Sequence, residues 1–359
     1  MSRFAVPLLF ALFLTGAAVA QETETRDMLL DPLPVRDQFL LGNGFYSFDP
    51  EGARVLGNGE WLVDVHLAIA NTFSKSNWIT LSLASEKAST RSTARQTLEN
   101  PRYLNRDAVY LVDGETHRTT ISVRRGVGQN LQLGLTIPIS SIGGGWADGI
   151  IEAVHHGFGL GNAGRDAFRQ NSEAIYVRTP SVMYQRDRSA GYNLGDVALT
   201  AKYELRPFED KALNVAVSGA IELPTGNAAT LDGSGSLDAG AQLIVAHNGK
   251  AFRLYGTFGV IRLGANKPLG TRPQILISDT FGVSRLVSEV TAATMQVTVS
   301  ETPFRQYGLP ELSRHSYQLS LGAQHAIRGC VVHAAFIENL FTFNNGVDAA
   351  LQWGISKRF

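Results

Sequence analysis

Between residues 130 and 140 the chain reads NLQLGLTIPIS, and every second residue from Leu131 to Ile139 is a large aliphatic one. A period of two marks an extended strand with one apolar face, because successive side chains point to opposite sides of the pleat. The same period runs through 61–70, where Trp61, Val63, Val65, Leu67 and Ile69 oppose Leu62, Asp64, His66, Ala68 and Ala70, and it recurs at 196–205 and 213–223. The opposite faces carry Gly, Ala, Ser and Thr as well as charge. Such a face suits the crowded inner wall of a barrel better than the solvated side of a sandwich. The runs exceed the ~5–6 residues usual in soluble strands and match the ~9–11 that cross a bilayer at a tilt.

This pattern predicts strands at 60–73, 116–126, 130–140, 194–206, 211–223, 236–248, 250–263, 274–287, 290–300, 314–327, 329–341 and 346–359. Short connections near Gly128, Phe208, Gly249 and Arg328-Gly329 alternate with longer ones at 74–115, 141–193, 224–235, 264–273 and 301–313, broken only by the short 342–345. Alternating short periplasmic turns and long extracellular loops are expected of an outer-membrane barrel. The expected fold is therefore all-β, a transmembrane antiparallel barrel of about 12 strands with a short helix in a long loop. The last run, VDAALQWGISKRF, continues to the terminal Phe359. A free end normally frays, so this strand should pair with the first and close the barrel. Lys357, where an apolar residue would be more usual, is expected to extend its ammonium to the headgroups.

The first twenty residues, MSRFAVPLLFALFLTGAAVA, have the Arg3 n-region, apolar stretch and Ala18-Val19-Ala20 cleavage site of a secretory signal. Residues 21–59, with Pro32, Pro34 and two GNG triplets, show no clean strand and are expected to form either a periplasmic extension or a plug. The barrel itself is expected over 60–359. Lys and Arg total 32 against 32 Asp and Glu, so nothing suggests a nucleic-acid partner. Cys330 is the only cysteine, which rules out an intramolecular disulfide and a cysteine metal cluster.

Several stretches together resemble an uncharacterised outer-membrane barrel family, domain of unknown function 3187. They are DPLPVRDQFLL, DGETHRTTISVRRGV, LGLTIPISSIGGGWADGIIEAVHHGFGLGNAGR, LGDVALTAKYEL, IELPTG, FIENLF and the closing GISKRF. The LGD and LPTG segments are also similar to those of bacterial barrels linked to uptake of aromatic compounds. The resemblance implies a barrel in the outer membrane and brings no activity, ligand or catalytic residue. Phe359 looks like the terminal signal read by the outer-membrane assembly machinery.

The most unusual stretch is GGGWADGIIEAVHHGFGLGNAGR, at 143–165. If 146–156 is helical, Asp148, Glu152 and His155 or His156 share one face. That face could bind a cation or pair an acid with a base. It could equally be the wet side of a plug helix, with Ile150, Ile151, Val154 and Phe158 against the wall. Such a segment beside the extracellular mouth would direct Asp148, Glu152, His155 and Arg165 toward water. Asp64, His66, Arg118, Arg124, Asp196, Lys202, Glu222 and Arg253 fall on inward parities and are expected to line the lumen. Two readings stay open: a passive channel for a small solute, or a lumen closed by ion pairs.

An outer-membrane enzyme acting on lipid or envelope material is the further alternative, with Asn71, His66, Ser122 and Ser320 as residues that could meet. His315 and Ser316 are strand neighbours pointing apart. GNAGR and GSGSLD lack the strand–helix setting of a nucleotide loop. No cofactor, metal or catalytic residue is expected. The partners expected are membrane lipid, the assembly machinery through Phe359 and a small solute.

Overall fold

The alternation organises the whole chain. The computed structural model describes residues 26–77, 79, 107–157, 164–165, 168–186, 189, 191–205, 212–341 and 345–359. The expected signal sequence, the expected turn at Phe208 and most of the expected loop 74–115 lie outside them. The strands are β1 (Trp61–Lys75), β2 (Val109–Val127), β3 (Leu131–Gly143), β4 (Ala174–Thr179), β5 (Val182–Arg186), β6 (Asn193–Leu194), β7 (Val197–Leu205) and β8 (Leu213–Leu223). They continue as β9 (Asp238–Asn248), β10 (Phe252–Leu263), β11 (Gln274–Ser288), β12 (Thr291–Ser300), β13 (Ser316–Ile327), β14 (Cys330–Asn339) and β15 (Ala349–Arg358).

Twelve of these form a closed antiparallel ring in chain order, with β4, β5 and β6 outside it. Each of the twelve expected runs coincides with one strand of the ring. β1 bonds both to β2 and to β15, in a register that sets Leu62 opposite Arg358 and Asn71 opposite Ala349. The seam reaches the last residue: Trp61 N–H donates to Phe359 O at 3.1 Å, and Phe359 N–H donates to Trp61 O at 2.8 Å. Lys357 departs from expectation, for it is buried and its ammonium lies 4.9 Å from the centre of the Phe359 ring.

Burial shows which face looks where. Leu199, Tyr203, Val217 and Ile221 are exposed, while the interleaved Ala198, Lys202, Ser218, Ala220 and Glu222 are buried. Turning a Lys or Arg to the lipid midplane would cost about 2–4 kcal/mol, so the charged parity faces inward and the apolar parity forms the outer band.

β2 begins at Val109, before the expected 116, because Val109–Asp113 continue past the rim to pair with β4. The β4–β5 hairpin within 141–193 was not anticipated, since runs of six and five residues are too short to show a clear period. Helix α1 (Asp148–Gly157) occupies the same loop, close to the expected 146–156.

A twelve-strand ring is wider than the eight-strand barrels that side chains alone can fill. Here the interior holds residues 26–59. They begin beside the turn between β9 and β10, where Arg26 donates to Lys250 O at 2.6 Å. They rise to the loop end, where Phe39 and Phe45 pack edge-on against Phe304 at 6.3 and 6.0 Å. They then return to the turn end, where Gly59 N–H donates to Gly126 O at 3.0 Å and β1 follows.

Deleting Phe359 removes the two main-chain bonds that finish the seam. The heat-modifiable folded fraction, read as the fast-migrating band on unheated gels, should fall well below that of the full chain.

Candidate functional site

A chain inside a barrel is cut off from bulk water, so its N–H and C=O groups need partners from the wall. Glutamines supply several of them. Gln296 of β12 accepts from Leu33 N–H and donates to Leu33 O, both at 3.1 Å, as a neighbouring strand would. Gln324 of β13 donates to Leu29 O at 3.0 Å and Asp31 O at 2.7 Å, and Gln352 of β15 donates to Pro34 O at 2.8 Å. Gln132 of β3 accepts from Leu56 N–H at 3.3 Å. One side-chain amide both donates and accepts, which makes it a substitute for a strand edge. A sequence reading centred on charge misses these residues. Their signal was glutamine recurring at inward parity.

Three of the charged residues at inward parity, Arg118, Lys202 and Arg253, hold the inner segment directly. Lys202 Nζ pairs with Glu51 Oε2 at 2.9 Å and donates to Gly52 O at 2.8 Å. Arg118 donates to Asn43 O at 3.1 Å and to its side-chain oxygen at 3.2 Å. Arg253 pairs with Asp31 and, at 3.2 Å, with Asp27. Arg124 and Glu222 border a space of about 50 Å³ together with Arg36 and Glu51. Asp196 borders the same space and also serves the loops, accepting at 2.7 Å from Gly226 N–H and from Ser234 N–H. Asp64 accepts from Ser356 at 2.6 Å and meets His66 Nδ1 at 2.7 Å.

Near the loop end the hold is apolar. Phe39, Leu40, Leu41, Phe45, Tyr46 and Phe48 are buried in one cluster with Tyr110, Ile142, Leu231, Phe304 and Tyr307. At about 1.5–3 kcal/mol for each large side chain, this anchor is worth on the order of 10 kcal/mol.

The mouth departs from expectation. Asp148 and Arg165 do not face water; both are buried. Asp148 pairs with Arg165 and accepts from Asn71 Nδ2 at 2.8 Å and Asn171 N–H at 2.7 Å. Arg165 also pairs with Asp348, donates to Asn71 at 2.9 Å, and lies 4.8 Å from the centre of the Phe73 ring. An arginine is retained away from water only when carboxylates and amides surround it. This set ties α1 to β1 and to the loop before β15. Glu152 is half-buried and accepts from Gln170 at 2.6 Å, whereas His156 is exposed. Asp148, Glu152 and His156 thus share no ligand-binding face. Ile150 is exposed instead of packed on the wall. The side chains of Val154 and His155, and all of Phe158, lie outside the described residues.

The residues considered for nucleophilic chemistry do not meet. Asn71 belongs to the mouth set, Ser122 bonds Thr136 at 3.1 Å, and Ser320 Oγ has no hydrogen-bond partner among the described residues. His66 and Ser356 both bond Asp64, whereas a serine nucleophile needs the imidazole beside its own hydroxyl.

These features define the protein class: a transmembrane barrel with a polar inner wall and an internal chain segment. The chain belongs to the family described as "Protein of unknown function (DUF3187)", which matches residues 55–359. A search of curated proteins finds no sequence match. Among solved structures it is similar in fold to the COG4313 outer membrane channel from Pseudomonas putida F1, with a TM-score of 0.52 at 11% identity, over 87% of this chain and 100% of that one. Likeness to the Ralstonia pickettii toluene transporter TbuX is weaker, with a TM-score of 0.39 at 9% identity over 85% of this chain and 90% of that one.

Replacing Lys202 with Met strands the Glu51 carboxylate among fewer partners and should cost about 3 kcal/mol, the scale for breaking a buried pair. Thermal unfolding in detergent, compared with a Lys202→Met, Glu51→Gln double variant that regains part of the loss, measures it.

Proposed function

We propose that the protein is an outer-membrane channel for a small solute, closed at rest by its own residues 26–59. The supporting observation is the way those residues are held. Inner-wall side chains from β2, β3, β7, β10, β12, β13 and β15 grip the segment through hydrogen bonds and ion pairs. Water or a polar solute can replace such bonds, whereas an apolar filling would have no substitute. The fold shared with the COG4313 channel supports the same reading. Export by the first twenty residues, residence in the outer membrane and reading of Phe359 by the assembly machinery belong to this proposal.

A second reading, a barrel that never conducts, draws on the tightness of the fit. Three spaces between segment and wall measure about 50, 60 and 100 Å³, room for a few waters each. The apolar anchor at the loop end adds to that resistance. Removing the segment separates the two readings.

A variant lacking residues 26–56 should show single-channel conductance in planar bilayers several-fold above that of the full chain. Silence from both proteins would establish the non-conducting barrel, and equal conductance would show that the segment does not close the lumen. The deleted stretch carries Asp27, Asp31, Asp37, Asp49 and Glu51 against Arg26, Arg36 and Arg54. Its loss leaves Arg118, Arg124, Lys202 and Arg253 with fewer counter-charges. Reversal potentials in a salt gradient should therefore show the open form to be anion-selective.

A further inference from the structure

We propose that Asp64, His66 and His333 form a binding site for a divalent transition-metal ion of the zinc type, set on the inner wall across the seam that closes the barrel. All three residues are buried, and one donor atom from each lies within 4.8 Å of the others. Two imidazoles and a carboxylate match zinc, nickel or copper, whereas calcium and magnesium take oxygen ligands.

The backbone brings the three together. His66 of β1 and His333 of β14 are both cross-strand neighbours of Gly354 in β15, so the two rings meet over that glycine. A Cβ at 354 would sit 2.6 Å from His66 Cβ and 2.7 Å from both Cε1 and Nε2 of His333. Glycine there leaves a notch that no other residue could leave. The ring centres stand 6.1 Å apart with their planes inclined at 57°, which is not a stacking arrangement.

A second observation points to a ligand. His333 is 4% exposed, yet its Nε2 has no hydrogen-bond partner among the described residues. Leaving such a buried group unsatisfied costs about 1–3 kcal/mol. A metal ion would complete it. Asp64 is already oriented by Ser356, and its other oxygen shares a proton with His66 Nδ1 at 2.7 Å. The ion would take the place of that proton. Donors around a tetrahedral ion stand about 3.4 Å apart at metal–ligand distances of ~2.0–2.1 Å. Reaching that spacing requires the His333 ring, which gives up no hydrogen bond, to turn inward and the 2.7 Å Asp64–His66 pair to open slightly.

Three protein ligands leave a fourth position open, the pattern of sites that hold an exchangeable water or solute. Asp64, His333 and Ser356 line a space of about 100 Å³ that also borders Pro34 and Gln324, so the open position faces the inner segment. The ion would bridge β1 and β14 over β15 and clamp the seam. Binding needs no conduction and stands apart from the channel proposal.

The test uses the full mature chain, folded in detergent and stripped with a chelator. Titration with Co²⁺ should give a visible d–d band saturating at one ion per barrel, and Zn²⁺ should abolish it. Zn²⁺ should also raise the unfolding temperature. His333→Gln and Gly354→Ala should each weaken binding by more than about tenfold, the least that losing even a ligand's hydrogen-bonding partner costs, and remove the thermal shift while keeping the heat-modifiable band. X-ray absorption at the zinc edge of the unaltered protein gives a readout independent of any variant's folding, with imidazole nitrogens plus oxygen expected around the ion. An all-oxygen shell, no saturable band, or unchanged binding in folded His333→Gln would overturn the proposal.

Discussion

Hydrocarbon offers no partner to a main-chain N–H or C=O, and the rest of this structure follows from that constraint. A sheet in lipid must have no edge, so β15 returns to β1 and the bonding continues to Phe359 itself. The same constraint applies to the chain inside. Residues 26–59 cross the lumen with little regular structure, and wall glutamines supply partners that a neighbouring strand would otherwise provide. Two solutions to one problem, a ladder outside and amides inside, account for the inner and outer faces together.

Closing twelve strands creates a second problem, because the space is too wide for side chains alone. The inner segment fills it with two kinds of contact. Toward the turns it is held by ion pairs and hydrogen bonds, which exchange readily with water. Toward the loops it is held by the buried Phe39, Leu40, Phe45 and Phe48, whose separation from their apolar neighbours carries a large hydrophobic cost. At the mouth, the Asp148–Arg165–Asp348 set acts as a clasp between α1 and the barrel rim, since its charges are spent on one another.

How the charged residues are used follows from distance and burial more than from residue type. Lys202 and Arg253 face the lumen as alternation demands, yet each engages a carboxylate of the inner segment instead of an open channel. Asp196 sits on the inward parity at a strand end and caps two loop turns. An inward parity specifies a direction, and what occupies that direction depends on the rest of the chain.

The sequence by itself determined the twelve strands of the ring, their inward and outward faces, and the pairing of the last strand with the first. All of these rest on a period of two, which depends on neighbouring residues alone and is expressed wherever one face meets lipid. Leu131 to Ile139 show it as clearly in the letters as in the fold. Only the tertiary structure set 26–59 against the wall glutamines, turned Asp148 and Arg165 into a buried pair, and set His333 beside His66. Those outcomes depend on which strands become neighbours around the ring and which chain fills it. The Gly354 notch shows the difference plainly. Three residues on three strands acquire a meaning together that none has alone, because the contact that joins them runs across the sheet and not along the chain.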